Sequence, residues 1–297
     1  MKILLLGIFF VCLNTFTGTI FDTITKYSSI NNYMWYHYYS VGGTFAIITF
    51  LIYLFFYDGI KKNILLKNKK YYYLPVLRGI YFIFILILAF YVLQKISINI
   101  FTMLLMTTPF FLLIFARFIL NEKLNVISWI SIIVGFSGVL FILQPNSSNI
   151  NIFIFLVLFI AMSNALNFTL VSKYSNIASI FGFTFYQYIP LTFFSYIFFI
   201  YDPIYPSFKE IVLFASSGIF LMISMLAFNA AYHIAGKYSS IISPFFFTQI
   251  IWASLSGIIF FNEKIDPYSV IGIFIIITSG TIAIYNRNKK NIKNTFL

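Results

Sequence analysis

The chain has 297 residues, 61% hydrophobic and 9% charged, with 19 lysines and arginines against 7 acids. A soluble domain carries about 25% charged residues, so a water-soluble globule is excluded and the pattern is that of a polytopic membrane protein. The net charge of +12 lies in short runs between apolar segments, which suits anionic lipid headgroups rather than nucleic acid.

A bilayer core takes about 20 apolar helical residues per crossing. Ten segments approach that length: 4–25, 33–56, 73–94, 98–119, 126–144, 150–171, 180–200, 211–233, 239–261 and 267–286. The first reads as an uncleaved anchor, because no small-residue cleavage site follows Leu4–Val11; a cleaved signal peptide is the alternative. Near its end Asp22 and Lys26 are four residues apart on one helical face. They form either an interfacial salt bridge or a coupling or gate pair facing a cavity. In the third segment Arg78 lies roughly 8 Å from the start by helical rise. It either snorkels to the headgroups, or turns inward to bind an anionic substrate group or lock a gate; Gly79 beside it would let helices approach. Arg117, nearer a span end, suits snorkelling or a pair with Glu122.

The fourth segment holds Thr107 and Thr108 and closes on Asn121-Glu122-Lys123. Pro145-Asn146-Ser147 breaks the chain before the sixth, which carries Asn164 and Asn167 at i, i+3. Asp202-Pro203 ends the seventh. The eighth has Asn229 and Tyr232 on one face, and the ninth has Thr248, Gln249 and Trp252 before Asn262-Glu263-Lys264. Asp266-Pro267 opens the tenth. Polar groups in a span are costly, about 2.5–3.5 kcal/mol for a charge, so each is either an inter-helix bond or a substrate contact. His37 and His233 fall at span ends and read as satisfied interfacial histidines. Cys12 is the only cysteine, so neither a disulfide nor a metal cluster is expected. The 40 Phe and 22 Tyr accompany abundant Ile, Asn and Lys and scarce Arg. That is the bias of AT-rich codons, and most single aromatics are packing.

With ten crossings, thirteen lysines and arginines fall on the side of Lys2, the 57–72 loop and the basic tail 288–297, against four on the other. The positive-inside rule then puts both termini in the cytoplasm. The halves also echo each other. Asn121-Glu122-Lys123 recurs 141 residues on as Asn262-Glu263-Lys264, Tyr91 falls on Tyr232 and Thr107 on Thr248. Further upstream Tyr36-His37-Tyr38 meets Tyr186-Gln187-Tyr188. Five spans per copy is odd, so the second copy, 147–287, enters from the side opposite to the first, 1–146. Such inverted repeats are an architecture of alternating-access carriers.

The run Arg78-Gly79, Tyr91, Pro109 to Glu122, Gly135 and Gly138 resembles the first repeat of EamA-type members of the drug/metabolite transporter superfamily. Ser243-Pro244, Gln249 to Ala253, Gly257 and Phe261-Asn262-Glu263 resemble the second. Each turn has Asn where that family usually has Gly before the acid, and Asn also tolerates the left-handed cap. The resemblance implies an all-α integral membrane fold: ten transmembrane helices as two inverted five-helix repeats around a central cavity. Arg78, Thr107, Asn164, Asn167, Asn229, Tyr232, Gln249 and Trp252 are then the substrate-contact candidates, with Glu122 and Glu263 closing turns.

No nucleotide-binding glycine loop or catalytic constellation is present. The expectation is an inner-membrane secondary transporter of a small organic metabolite, such as S-adenosylmethionine, riboflavin or an amino acid, working without a cofactor. The alternatives are a non-transporting membrane subunit and a membrane-embedded transferase. Expected partners are the metabolite, cytoplasmic-face anionic headgroups and, as an option, a second copy of the chain.

Overall fold

In the computed structural model the residues described are 2–31, 33–57, 59–60, 64, 72–121, 124, 126–143, 152–174, 177–235 and 243–295. They form α1 (Lys2–Ile30), α2 (Trp35–Tyr57), α3 (Tyr73–Lys95), α4 (Ile98–Leu105), α5 (Thr108–Ile119), α6 (Val126–Leu143), α7 (Ile152–Lys173), α8 (Ile180–Tyr201), α9 (Phe208–Ala235), a 3-10 turn (Ser243–Phe247), α10 (Thr248–Phe261) and α11 (Pro267–Thr295). Among these residues seven helical stretches are long and apolar enough to cross a membrane: α1, α2, α3, α4 with α5 as one stretch, α7, α8 and α9. Three shorter apolar helices span Val126–Ile142, Phe245–Phe261 and Pro267–Ile282. Phe55, Phe56, Ile133, Phe260 and Phe274 are all more than two-thirds exposed, as side chains bathed in acyl chains would be.

Local chemistry sets several helix starts. Ser207 and Glu210 close a capping box at α9: the Ser207 N–H donates to Glu210 Oε2 at 2.7 Å and the Glu210 N–H to Ser207 Oγ at 3.4 Å. Asp266 caps α11, accepting from the Ser269 N–H at 2.9 Å with Pro267 in the first turn. The expected fourth span is two helices. Met106 and Thr107 interrupt it, with Pro109 in the first turn of α5, because a proline has no N–H to bond the Leu105 carbonyl and its ring crowds that carbonyl.

Asn121 and Asn262, the equivalent turn positions, have φ of 56° and 51°. They are the only non-glycine residues with positive φ among those described, as the tolerance of Asn for that conformation predicts. Glu122 and Lys123, the lysines of the 57–72 loop, Lys237 and the Pro145-Asn146-Ser147 turn lie outside the described residues.

The chain forms two compact units, each drawing on both halves of the sequence. The first comprises Met1–Thr19, Lys95–Thr169 and Ser224–Leu297, the second Ile20–Gln94 and Leu170–Ile223. In the first unit α6 packs on α11 and α4 on α10. At the α6–α11 seam a Cβ on Gly138 would lie 2.7 Å from the Gly272 carbonyl oxygen, and one on Gly272 2.5 Å from that of Gly138. The contact is reciprocal, the form of a two-fold seam, and only glycine fits on either side. In the second unit α2 packs on α8, and the core is aromatic: Tyr38, Phe90, Tyr188 and Phe214 are each at most 2% exposed.

Candidate functional site

In the first unit polar groups from five helices are buried. Asn14 of α1 donates through Nδ2 to the Ser224 carbonyl and hydroxyl of α9, both at 2.8 Å, and Ser224 Oγ donates back to the Asn14 carbonyl at 3.0 Å. The hydroxyls of Thr15 and Thr248 bond at 2.9 Å, tying α1 to α10. Glu263, in the turn after α10, accepts from the Ile98 N–H at 2.8 Å and from Asn99 Nδ2 at 2.9 Å. A carboxylate at the start of α4 meets free N–H groups and the positive end of the helix dipole. Glu263 therefore closes a turn, as the sequence suggests.

Among the described residues of this unit, four buried side-chain atoms have no hydrogen-bond partner: Asn99 Oδ1, Thr102 Oγ1, Asn167 Nδ2 and Trp252 Nε1. Such groups cost about 1–3 kcal/mol each when left unpaired, so four in one unit call for an explanation. Trp252 meets Phe16 edge to face at 5.3 Å, and Phe168, Phe228 and Phe246 form a further ring series. Asn167 is 6% exposed and Asn164, on the same helix face, is half-buried. Thr107 and Thr108 donate to the Leu104 and Leu105 carbonyls at 2.7 and 2.6 Å. Those two hydroxyls are taken up by the helix break. Gln249 is half-buried and engaged with neighbours. The backbone of Asn229, Tyr232 and His233 belongs to α9, and their side chains lie outside what the structure describes.

The second unit holds the ionisable candidates. Arg78 turns inward: Nη2 donates to Gln187 Oε1 at 2.6 Å and Nη1 to the Phe183 carbonyl at 3.4 Å, with the guanidinium 5.4 Å from the Phe183 ring centre. Pro190 explains part of this placement. Lacking an N–H, it leaves the Tyr186 carbonyl without its intrahelical bond. Gly79 of α3 sits against that oxygen so closely that a Cβ has no room. Asp22 is half-buried and Lys26 7% exposed, and the Asp22 charge reaches Tyr38 and Tyr39. His37 is fully buried and satisfied. Its Nε2 donates to the Asp202 carbonyl at 2.7 Å, while Nδ1 accepts from the Met34 N–H at 3.2 Å.

Sequence reasoning passed over Asn14, Ser224, Asn99, Thr102, Gln187 and Tyr188 as contributors to these interiors. Helical spacing could have flagged one pair, Asn99 and Thr102 at i, i+3.

Residues 5–144 match the EamA-like transporter family. Along nearly its full length the chain is similar to the S-adenosylmethionine uptake transporter of Rickettsia prowazekii (strain Madrid E). The two are 27% identical over 295 residues, which is 97% of this chain and 96% of that one. The protein of the same description from Rickettsia bellii (strain RML369-C) is 23% identical over 249 residues, 82% of each chain. A solved crystal structure of a protein at 12% identity superposes with a TM-score of 0.60 over 95% of this chain and 96% of the other; that likeness is one of fold. With the apolar helices, these similarities make the chain a multi-pass membrane protein.

Proposed function

We propose that this chain, a member of the EamA-type transporters in the drug/metabolite transporter superfamily, carries S-adenosylmethionine inward by alternating access. It is a metabolite transporter and not an enzyme. The single observation behind the substrate is the 27% identity to an S-adenosylmethionine uptake transporter, which leaves only 3–4% of either chain unmatched. The chemistry agrees. Asn167 and Trp252 leave donors unpaired in an aromatic surrounding, and such a lining suits a planar base and a sulfonium cation. Asn164, Gln249, Asn229, Tyr232 and Thr107 are the further substrate candidates of that unit, and Asp22 and Lys26 are the coupling or gate candidates of the second.

The architecture of the proposal is two inverted five-helix repeats, 1–146 and 147–287. Its support is that α2 pairs with α8, α4 with α10 and α6 with α11, each helix with its counterpart five spans on. The matched left-handed Asn121 and Asn262 add to it. The charge bias of thirteen against four supports cytoplasmic termini in an inner membrane.

Uptake of labelled S-adenosylmethionine into proteoliposomes tests the reading. Saturable uptake above empty liposomes is expected, and Trp252→Phe, which keeps an aromatic ring but removes the indole N–H, should slow it roughly three- to tenfold. Uptake equal to that of empty liposomes overturns the substrate.

A further inference from the structure

Arg78 is a half-buried cation within a span, with no counter-ion among the described residues. Its Nε is fully buried and unpartnered, and among the described residues its partners are Gln187, the Phe183 carbonyl and the Phe183 ring. Among the described residues no carboxylate pairs with it, and Phe82, four residues on along α3, meets the Tyr188 ring at 6.2 Å, which brings Tyr188 to the same face of that helix. Tyr188 in turn is 2% exposed, and its hydroxyl has no partner. A charge held within a span, with its Nε out of reach of solvent and no opposite charge beside it among the described residues, is unfavourable. Chain geometry nonetheless holds it in place: the Gly79–Tyr186 backbone approach seats α3 on α8, and Gln187, 3% exposed, fixes the guanidinium plane.

We infer that Arg78 and Tyr188 form, within the second unit, a subsite for the carboxylate of an amino-acid-like substrate, with Gln187 and the Phe183 ring as positioning groups. The unused Nε–H and the Tyr188 O–H are two donors for the two oxygens of a carboxylate. A guanidinium fork recognises such a planar monoanion in a way an ammonium does not. The arriving carboxylate supplies the missing counter-charge, and Arg78 and Tyr188 gain partners together. An uncharged solute of the same shape gains neither. The inference deepens the S-adenosylmethionine reading and rests on it, because that molecule ends in an α-amino acid.

The test displaces labelled S-adenosylmethionine from the full-length protein in lipid nanodiscs with unlabelled S-adenosylmethionine or with its decarboxylated analogue. In the wild type the analogue should compete roughly ten- to a hundredfold less well, as expected for the loss of charge-assisted bonds. In Arg78→Gln the two should compete within about threefold, because S-adenosylmethionine weakens while the analogue does not; Tyr188→Phe should give part of the same loss. If Arg78→Gln does not fold, Arg78→Lys retains the charge without the fork and should lose most of the discrimination. Equal competition in the wild type, with uptake intact, overturns the subsite and leaves the carrier reading standing. If S-adenosylmethionine neither binds nor crosses, the carrier reading falls and the subsite is judged on thermal stability. Millimolar methionine, but not methionine amide, should then raise the Tm of the wild type and not that of Arg78→Gln; no such difference overturns the subsite.

Discussion

The two compact units hold their polar groups in different ways. In the first, neutral amides and hydroxyls link helices: Asn14 to Ser224 and Thr15 to Thr248, with half-buried Glu263 capping the start of α4. In the second, charge goes inside: Arg78 on α3, and Asp22 and Lys26 on α1, among the phenols of Tyr38, Tyr39 and Tyr188. Neutral inter-helix bonds in a membrane contribute modestly, about 0.6 kcal/mol on average. A buried charge is a larger liability and persists where something must bind it. The first unit therefore reads mainly as directional recognition and packing, the second as charge recognition.

The sharpest separation of the two should come from glycine seams. Gly272→Leu in the first unit forces a side chain onto the Gly138 carbonyl and should cost about 3 kcal/mol or more. Thermal unfolding in detergent should show it, while the carboxylate preference of the surviving folded protein is unchanged. Gly79→Ala in the second unit should lower stability and weaken that preference as well, because the same seam seats Arg78. If Gly272→Leu altered the preference and Gly79→Ala did not, the division of labour would be reversed.

A middle-sized effect is expected at Asn14→Leu, which deletes both hydrogen bonds that Nδ2 donates to Ser224. About 1–2 kcal/mol is expected, with Ser224→Ala giving less. A double-mutant cycle between them checks that the loss is shared. The smallest effects belong to the turn after α10. Glu263→Gln keeps the shape and removes the charge facing α4, for about 0.3–1 kcal/mol. At Asn262, with φ of 51°, glycine should be neutral within a few tenths, whereas alanine should cost about 1 kcal/mol.

Parts of this site were legible before any fold was known. The Asn-Glu repeats marked two turns, and both asparagines are left-handed because the short side chain tolerates that geometry. The cost of charge in a span singled out Arg78, but its direction was open, since a long side chain can snorkel as readily as turn inward. Tyr188 was invisible among 22 tyrosines, and Asn14 among many asparagines, because codon bias blunts composition as a signal. Thr107, a substrate candidate by its polarity, also has a local partner that the sequence did not reveal: its hydroxyl donates to the Leu104 carbonyl just before Pro109 breaks the span. The proline was in view, and the interruption of residues 98–119 could have been read from it.

The sequence by itself determined what is local or summed along the chain: apolar spans, the charge bias that orients them, breaker residues and the recurrence 141 residues apart. These follow from transfer free energies and backbone sterics, which need no distant partner. Only the tertiary structure decided which polar atoms remain unpaired and where Arg78 points. Those facts depend on the Tyr186 carbonyl freed by Pro190, on Gly79, distant in the chain, that packs on that carbonyl, and on the donors left over once each helix has met its neighbours.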